Sequence, residues 1–283
     1  MPPEWEDPRR VLGRHGLHPK RAFSQNFLVS RGVVDRIARA VDPGEGELVV
    51  ELGPGLGTLT GALLRAGARV RAVESDRDML TVLRAELGRE PRAELVSGDA
   101  RALDLRAIAA REGHPVAVAG NLPYAVTGGI LRNLVDQREA VSRAVVMVQK
   151  EVRDRLLAPP ATKTYGALTV FVSAVYDVRP VLTVKPGSFH PPPKVASAVV
   201  HLSPWARPRA RLDEAFRIVV RAVFDARRKT LRNALLPAFG DPGALDAALA
   251  EVGIEPTIRG ERLDLAALDA LADALRRLRA VAG

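Results

Sequence analysis

The stretch Leu48-Val49-Val50-Glu51-Leu52-Gly53-Pro54-Gly55-Leu56-Gly57 decides the fold of this chain. Leu48 to Leu52 has the length and apolar density of a strand buried on both faces. It runs through closely spaced glycines into an apolar pattern, Leu56 to Ala66, that reads as a helix. Strand, glycine-rich turn and helix in that order open a βαβ unit, and the chain then repeats the alternation. Strands are expected at Arg69–Glu74, Ala93–Val96, Pro115–Ala119 and Ala144–Val148, with helices at Asp76–Leu87, Gly129–Val135 and Glu151–Leu157. Two further runs rich in Val and Thr, Leu168–Val178 and Val195–Leu202, also read as strands. Upstream, Val33, Val34, Ile37, Ala38 and Val41 recur at helical spacing, and Asp42-Pro43-Gly44 stops that helix. The pattern predicts an α/β fold, a doubly wound Rossmann-like parallel sheet with a late antiparallel pair.

Composition shifts at Ser203-Pro204-Trp205-Ala206-Arg207-Pro208, a proline-bearing linker. Beyond it, Asp213–Ala226, Thr230–Ala238, Pro242–Val252 and Leu265–Arg279 read as helices. Residues 1–204 are expected to form the sheet domain and residues 205–283 a smaller all-α domain.

The 283 residues suffice for two domains with sizeable cores. No stretch approaches the ~20 apolar residues of a membrane span. Met1 to Arg10 is polar, so no secretory signal is expected and a cytoplasmic protein is. The absence of cysteine removes disulfides, thiolate nucleophiles and cluster-based radical chemistry. His15, His18, His114, His190 and His201 lack metal-ligand spacing, so no metal is expected.

Several polar residues fall at the carboxyl ends of the predicted strands, where open α/β sheets bind ligands. The glycines of Gly53–Gly57 let backbone approach a ligand closely. Their spacing is G-x-G-x-G, not the G-x-G-x-x-G of dinucleotide enzymes. Glu74 ends the second strand, where a carboxylate can take both ribose hydroxyls. Asp99, just past the third, can accept from an adenine amino group. Asn121-Leu122-Pro123-Tyr124 follows the fourth. An Asn amide oxygen accepts from an exocyclic amine, a Tyr ring stacks on a base, and Pro123 stiffens the turn. Tetrapeptides of this kind mark enzymes that methylate amino nitrogens, and this variant resembles the adenine-N6 kind. The ordered set Gly53, Glu74, Asp99 and Asn121 points to S-adenosyl-L-methionine rather than a nicotinamide cofactor.

Taken together, the chain resembles the small-subunit ribosomal RNA adenine dimethyltransferase family of the KsgA type. The likeness runs through Gln25-Asn26-Phe27-Leu28, Glu51–Gly57, Gly98-Asp99-Ala100, Asn121–Tyr124 and Gln149-Lys150-Glu151-Val152. It continues through Tyr165-Gly166, Phe189-His190-Pro191-Pro192-Pro193-Lys194-Val195 and Arg227-Arg228-Lys229-Thr230-Leu231-Arg232-Asn233. The resemblance implies cofactor contacts from Gln25, Asn26, Leu28, Gly53, Gly55, Glu74, Asp99 and Asn121. It implies a target adenine held between Tyr124 and Phe189, with Asn121, Leu122 and Pro123 forming the rest of the catalytic turn. It also implies dimethylation of two adjacent adenosines in the 3′-terminal hairpin loop of 16S rRNA, within a pre-30S subunit, by a monomer. Two places depart from the pattern. Ala125-Val126-Thr127-Gly128-Gly129 stands where Asn, then a small or hydroxyl residue and Pro, is expected, and Ala196 stands where an acid is expected. The alternatives are a large-subunit rRNA methyltransferase of the macrolide-resistance type and an RNA-binding assembly factor without catalysis.

Net charge is +9, which suits a polyanionic partner. Nine basic residues lie between Arg207 and Arg232, against three acidic. Arg227-Arg228-Lys229 falls at a predicted helix start, the unfavourable end of the macrodipole, as if a phosphate were to compensate it. The expected RNA-binding residues are Arg221, Arg227, Arg228, Lys229 and Arg232, extended by Lys20, Arg21 and Lys194.

Overall fold

The computed structural model describes residues 3–20 and 25–282. It divides into two compact units, Met1–Arg153 with Asp177–Pro204, and Asp154–Tyr176 with Trp205–Gly283.

In chain order the elements begin with α1 (Pro8–Arg14), β1 (Phe27–Leu28), α2 (Arg31–Val41), β2 (Leu48–Leu52) and α3 (Thr58–Arg65). Next come β3 (Arg69–Glu74), α4 (Arg77–Leu87), β4 (Ala93–Ser97), α5 (Leu105–Glu112), β5 (Val116–Asn121) and α6 (Thr127–Asp136). Then follow β6 (Val141–Gln149), α7 (Lys150–Leu156), α8 (Ala167–Val175), β7 (Tyr176–Val184), β8 (Phe189–His190) and β9 (Ser197–Pro204).

Among the described residues the main sheet has seven strands in the order β4-β3-β2-β5-β6-β9-β7. Strands β4 to β6 are parallel and β9 runs antiparallel to β6. The expected doubly wound sheet is therefore present. The chain winds outward from β2 to β3 and β4 on one side, and through β5 and β6 on the other. The switch point lies between β2 and β5, where such sheets bind ligands. Every residue of β2 is buried, whereas the edge strand β4 is only partly covered, which is why their patterns read so differently. Gly120 sets the closeness of β2 and β5: a Cβ there would lie 2.6 Å from the Leu52 carbonyl oxygen. A second, two-stranded ribbon pairs Phe27 with His190 and Leu28 with Phe189.

The second unit carries α8 with α9 (Glu214–Asp225), α10 (Leu231–Phe239), α11 (Pro242–Val252) and α12 (Leu265–Ala282). Asp213 starts α9 by accepting from Phe216 N at 3.1 Å, and Asp241 starts α11 by accepting from Ala244 N at 2.6 Å. Two sequence expectations change here. Residues 167–175 are a helix, not a strand, and residues 154–176 belong with the helical unit, not with the sheet. Their Val and Thr content favours strands, but α8 is largely buried and packing overrides propensity. The Thr169 hydroxyl accepts from Gly166 N at 3.3 Å and donates to the Arg155 carbonyl, and Phe171 meets Phe216 edge-on at 6.0 Å. Arg227, Arg228 and Lys229 stand where the sequence puts them, in the turn just before Thr230, the N-cap of α10; the same turn follows the end of α9, a helix end that favours cations and offsets the unfavourable one. No helix among the described residues is long and apolar enough to cross a membrane.

Tyr165 anchors this unit. Its hydroxyl donates to the Leu263 carbonyl at 3.0 Å, its ring stands edge-on to Phe224 at 5.5 Å, and burial pushes its hydroxyl pKa up to about 12. Tyr165→Phe leaves a buried carbonyl without this donor. It should cost about 1–3 kcal/mol in urea unfolding, read as a lower midpoint at unchanged slope.

Candidate active site

The carboxyl ends of β2, β3 and β5 meet around one cleft lined by Gln25, Asn26, Leu28, Gly53, Gly55, Glu74, Asn121, Leu122, Pro123 and Tyr124. A second hollow of about 310 Å³ shares Gly53, Glu74, Ser75 and Pro123 and continues to Gly98, Asp99, Ala100, Arg101, Val126 and Ile130. Of the expected site residues, the structure thus brings together the glycine turn, both acids and the tetrapeptide. It adds Ser75, Met79 and Thr58 to the lining.

The turn after β2 positions a carboxylate as well as itself. Gly55 has φ +59°, and a Cβ there would press on the Phe27 ring at 3.1 Å. Its N–H donates to Glu74 Oε2 at 3.1 Å, while Ser75 N and Asp76 N donate to Glu74 Oε1 at 2.8 and 2.9 Å. Three backbone donors therefore hold the Glu74 carboxylate in place at the end of β3.

Asp76, 2% exposed, lies beneath. It accepts from Lys20 Nζ and Asp78 N at 2.9 Å each and from Gln25 Nε2 at 2.7 Å. Burial would raise its pKa, but these donors together hold it below the ordinary value. Gln25 also accepts from Lys20 N at 2.9 Å, so its amide braces the segment behind the cleft. Lys20 bonds Asp78 as well, at 2.7 Å, so its charge is balanced within the fold. The sequence singled out Lys20 and Gln25 but missed Asp76. Its signal was an acid at the helix start two residues after Glu74.

At the end of β5, Asn121 Nδ2 donates to the Asn26 carbonyl at 3.2 Å, which fixes the amide and leaves Oδ1 as its acceptor. Leu122 N donates to the Met147 carbonyl at 3.0 Å. Pro123 O accepts from Val126 N at 3.1 Å and from the Thr127 hydroxyl at 3.0 Å, closing the turn into α6. Half-buried Tyr124 shares a 2.7 Å hydrogen bond with the Ser197 hydroxyl, and burial raises its pKa.

Phe189 does not meet its expected partner. It is 4% exposed and packs in the core with Leu28, Val184 and Val199, and it does not line the cleft. Among the expected basic residues, Arg227 pairs with Glu261 at 3.0 Å and Arg232 with Asp246 at 2.6 Å. Arg221, Arg228 and Lys229 are exposed in the helical unit and Lys194 is exposed in the other, while Arg21 lies outside the described residues.

The acceptors and walls suit an adenosine-bearing ligand. Glu74 offers oxygens for a diol, Asp99 an acceptor for an amine, and Val73, Val126 and Ile130 apolar walls for a base. A sheet that sets such a cradle beside an acceptor for an amino nitrogen is that of a Rossmann-like methyltransferase. The dimethyladenosine transferase of Plasmodium falciparum shares the fold, with a TM-score of 0.76 at 24% identity over 89% of this chain and 98% of that one. The 23S rRNA methyltransferase ErmE gives 0.65 at 26% identity, over 89% of this chain and all of that one. The chain belongs to the ribosomal RNA adenine dimethylase family, whose profile matches residues 16–267. It is 49% identical to the ribosomal RNA small subunit methyltransferase A of Anaeromyxobacter sp. strain K, over 96% of this chain and 98% of that protein. It is also 49% identical to its namesake in Myxococcus xanthus, over 91% of each.

Glu51, 1% exposed, lies behind the glycine turn and accepts from the Thr60 hydroxyl at 2.6 Å. Burial pushes its pKa up to about 8 from the ordinary 4.5, and the charge of Glu74 adds to this against the opposing Thr60 bond. The folded state thus holds a proton that the unfolded state releases. Stability from this group is present below pH 4.5 and is lost as pH rises through about 8. Glu51→Gln keeps the acceptor for Thr60 but does not titrate. Thermal melts from about pH 5 to about pH 9 should show the wild type falling relative to this variant.

Proposed function

We propose that this chain uses S-adenosyl-L-methionine to dimethylate N6 of two adjacent adenosines in the 3′-terminal hairpin loop of 16S rRNA. It acts in the cytoplasm, as a monomer, on a pre-30S small ribosomal subunit. The observation that carries the reading is Asn121, fixed by the Asn26 carbonyl at 3.2 Å at the end of β5, with Tyr124 beside it and the Glu74 cleft adjoining. Family membership and the names of the relatives support the substrate.

When bound, the cofactor supplies a methyl group already attached to a good leaving group, so no strong base is needed. The chain's own task is alignment, worth ~7–11 kcal/mol in well-oriented cases. Asn121 Oδ1 and the Leu122 carbonyl accept the N6 hydrogens and stabilise the positive charge that develops on nitrogen, the converse of an oxyanion hole. Tyr124 stacks on the extruded base, worth ~1–3 kcal/mol, and a loop base is cheaper to extrude than a paired one. Glu74 and Asp99 hold the two ends of the adenosine. The exposed Arg221, Arg228, Lys229 and Lys194 contribute to phosphate contacts, which makes RNA affinity fall with salt.

The test incubates the protein with labelled S-adenosylmethionine and undermethylated small subunits, with large subunits in parallel, and identifies methylated nucleosides by mass spectrometry. Dimethyladenosine at two adjacent small-subunit positions is expected. Product on large-subunit RNA alone would overturn the substrate assignment, and cofactor binding without product would favour an assembly factor. Asn121→Ala should lower kcat by ~10²–10³-fold with a much smaller change in cofactor Kd. Tyr124→Ala should lose far more activity than Tyr124→Phe, which gives up only the Ser197 bond.

A further inference from the structure

In the free protein the Asp99 carboxylate is already engaged before any adenine amino group reaches it. Arg101, two residues on, closes over it. Its backbone N–H donates to Oδ1 at 2.8 Å, its Nε reaches Oδ1 and Oδ2 at 3.0 and 2.9 Å, and its Nη2 donates to Oδ2 at 2.6 Å. Each carboxylate oxygen already takes two N–H contacts, as many as it has lone pairs. The aliphatic stem of Arg101 lies across the first turn of α6, directly over Gly129. A Cβ at Gly129 would come within 3.1 and 3.2 Å of Arg101 Cδ and Cγ. The departure Gly128-Gly129 in the sequence thus has a structural counterpart, since it makes the path that Arg101 follows.

We propose that Arg101 is a positioning residue of the adenine subsite, a latch that holds the Asp99 carboxylate in the free protein and must release it when an adenine amino group binds. This rests on the assignment of Asp99 to the adenine. Arg101 therefore lowers affinity for the adenosine end and makes release of the spent cofactor easier. Gly129 is its partner, because it leaves room for the stem.

The experiment measures by calorimetry the binding of S-adenosylhomocysteine, and of its 6-oxo analogue that lacks the adenine amino group, to the full-length protein. Arg101→Met keeps the stem and removes the fork. It should tighten S-adenosylhomocysteine binding by about three- to fivefold, the scale of an exposed ion pair, with no gain for the 6-oxo analogue. Gly129→Ala should act in the same direction through displacement of the stem, and should have no effect in the Arg101→Met background. Damage to the fold does not produce a gain confined to one ligand. Unchanged or weaker binding by Arg101→Met, or an equal gain for both ligands, overturns the latch while leaving the cofactor assignment standing. A wild type that binds neither ligand overturns the assignment itself and the latch with it.

Discussion

The approach of β5 to β2 is the constraint on which the site depends. It is possible because residue 120 has no side chain: a Cβ there would overlap the Leu52 carbonyl oxygen at 2.6 Å. Strand β5 then runs one residue further and delivers Asn121 beside the turn that begins at Gly53. Gly53 makes the turn with φ +70°, a conformation that favours glycine, and Pro123 lies at ordinary contact distance from it. A glycine on β5 and another in the turn after β2 thus bring a rigid polar tetrapeptide against a rigid polar turn. Nothing larger would fit at position 120 without forcing the strands apart, and the cleft would lose its definition.

Around that contact the chain manages three acids by three different means. Glu51 is buried with a hydroxyl donor and is held neutral by its surroundings. Glu74 is half-caged by backbone N–H groups and faces the cleft. Asp76 is charged and is neutralised by Lys20 with help from Gln25. A buried carboxylate costs several kcal/mol unless it is satisfied or protonated, so each acid is an arranged feature of the fold. Their combined effect is to leave Glu74, at the end of β3, as the carboxylate that lines both hollows.

Most of the fold was legible in the sequence, because parallel strands buried on both faces write continuous apolar runs. Leu48–Leu52 and Arg69–Glu74 have the bounds expected of them. Helix α8 was not legible. Its Leu-Thr-Val-Phe-Val run carries strand propensity, and only burial within the helical unit explains its conformation. The short helices α1 and α5 and the β1–β8 ribbon were also absent from the sequence reading, since each is short and held by distant partners. Of the site, the backbone-positioned residues were readable from turn chemistry: Gly53, Glu74, Asp99 and the tetrapeptide. What was not readable is pairing. Lys20 with Asp76, Arg227 with Glu261, Arg232 with Asp246 and Arg101 with Asp99 each remove a charge from the list of free groups. Phe189 shows the same limit from the apolar side, since a sequence motif does not say which way a ring faces.

The β1–β8 ribbon has a mechanical consequence. Phe27 and Leu28 pair with His190 and Phe189, and Val29 N adds a bond to the Ser188 carbonyl at 2.9 Å. Asn26, whose carbonyl anchors Asn121, immediately precedes this ribbon. The rim of the cleft and the Phe189 segment are therefore hinged together through a few main-chain bonds outside the seven-stranded sheet. A load applied at either is felt at the other, and the joint can give way while the central sheet stays intact.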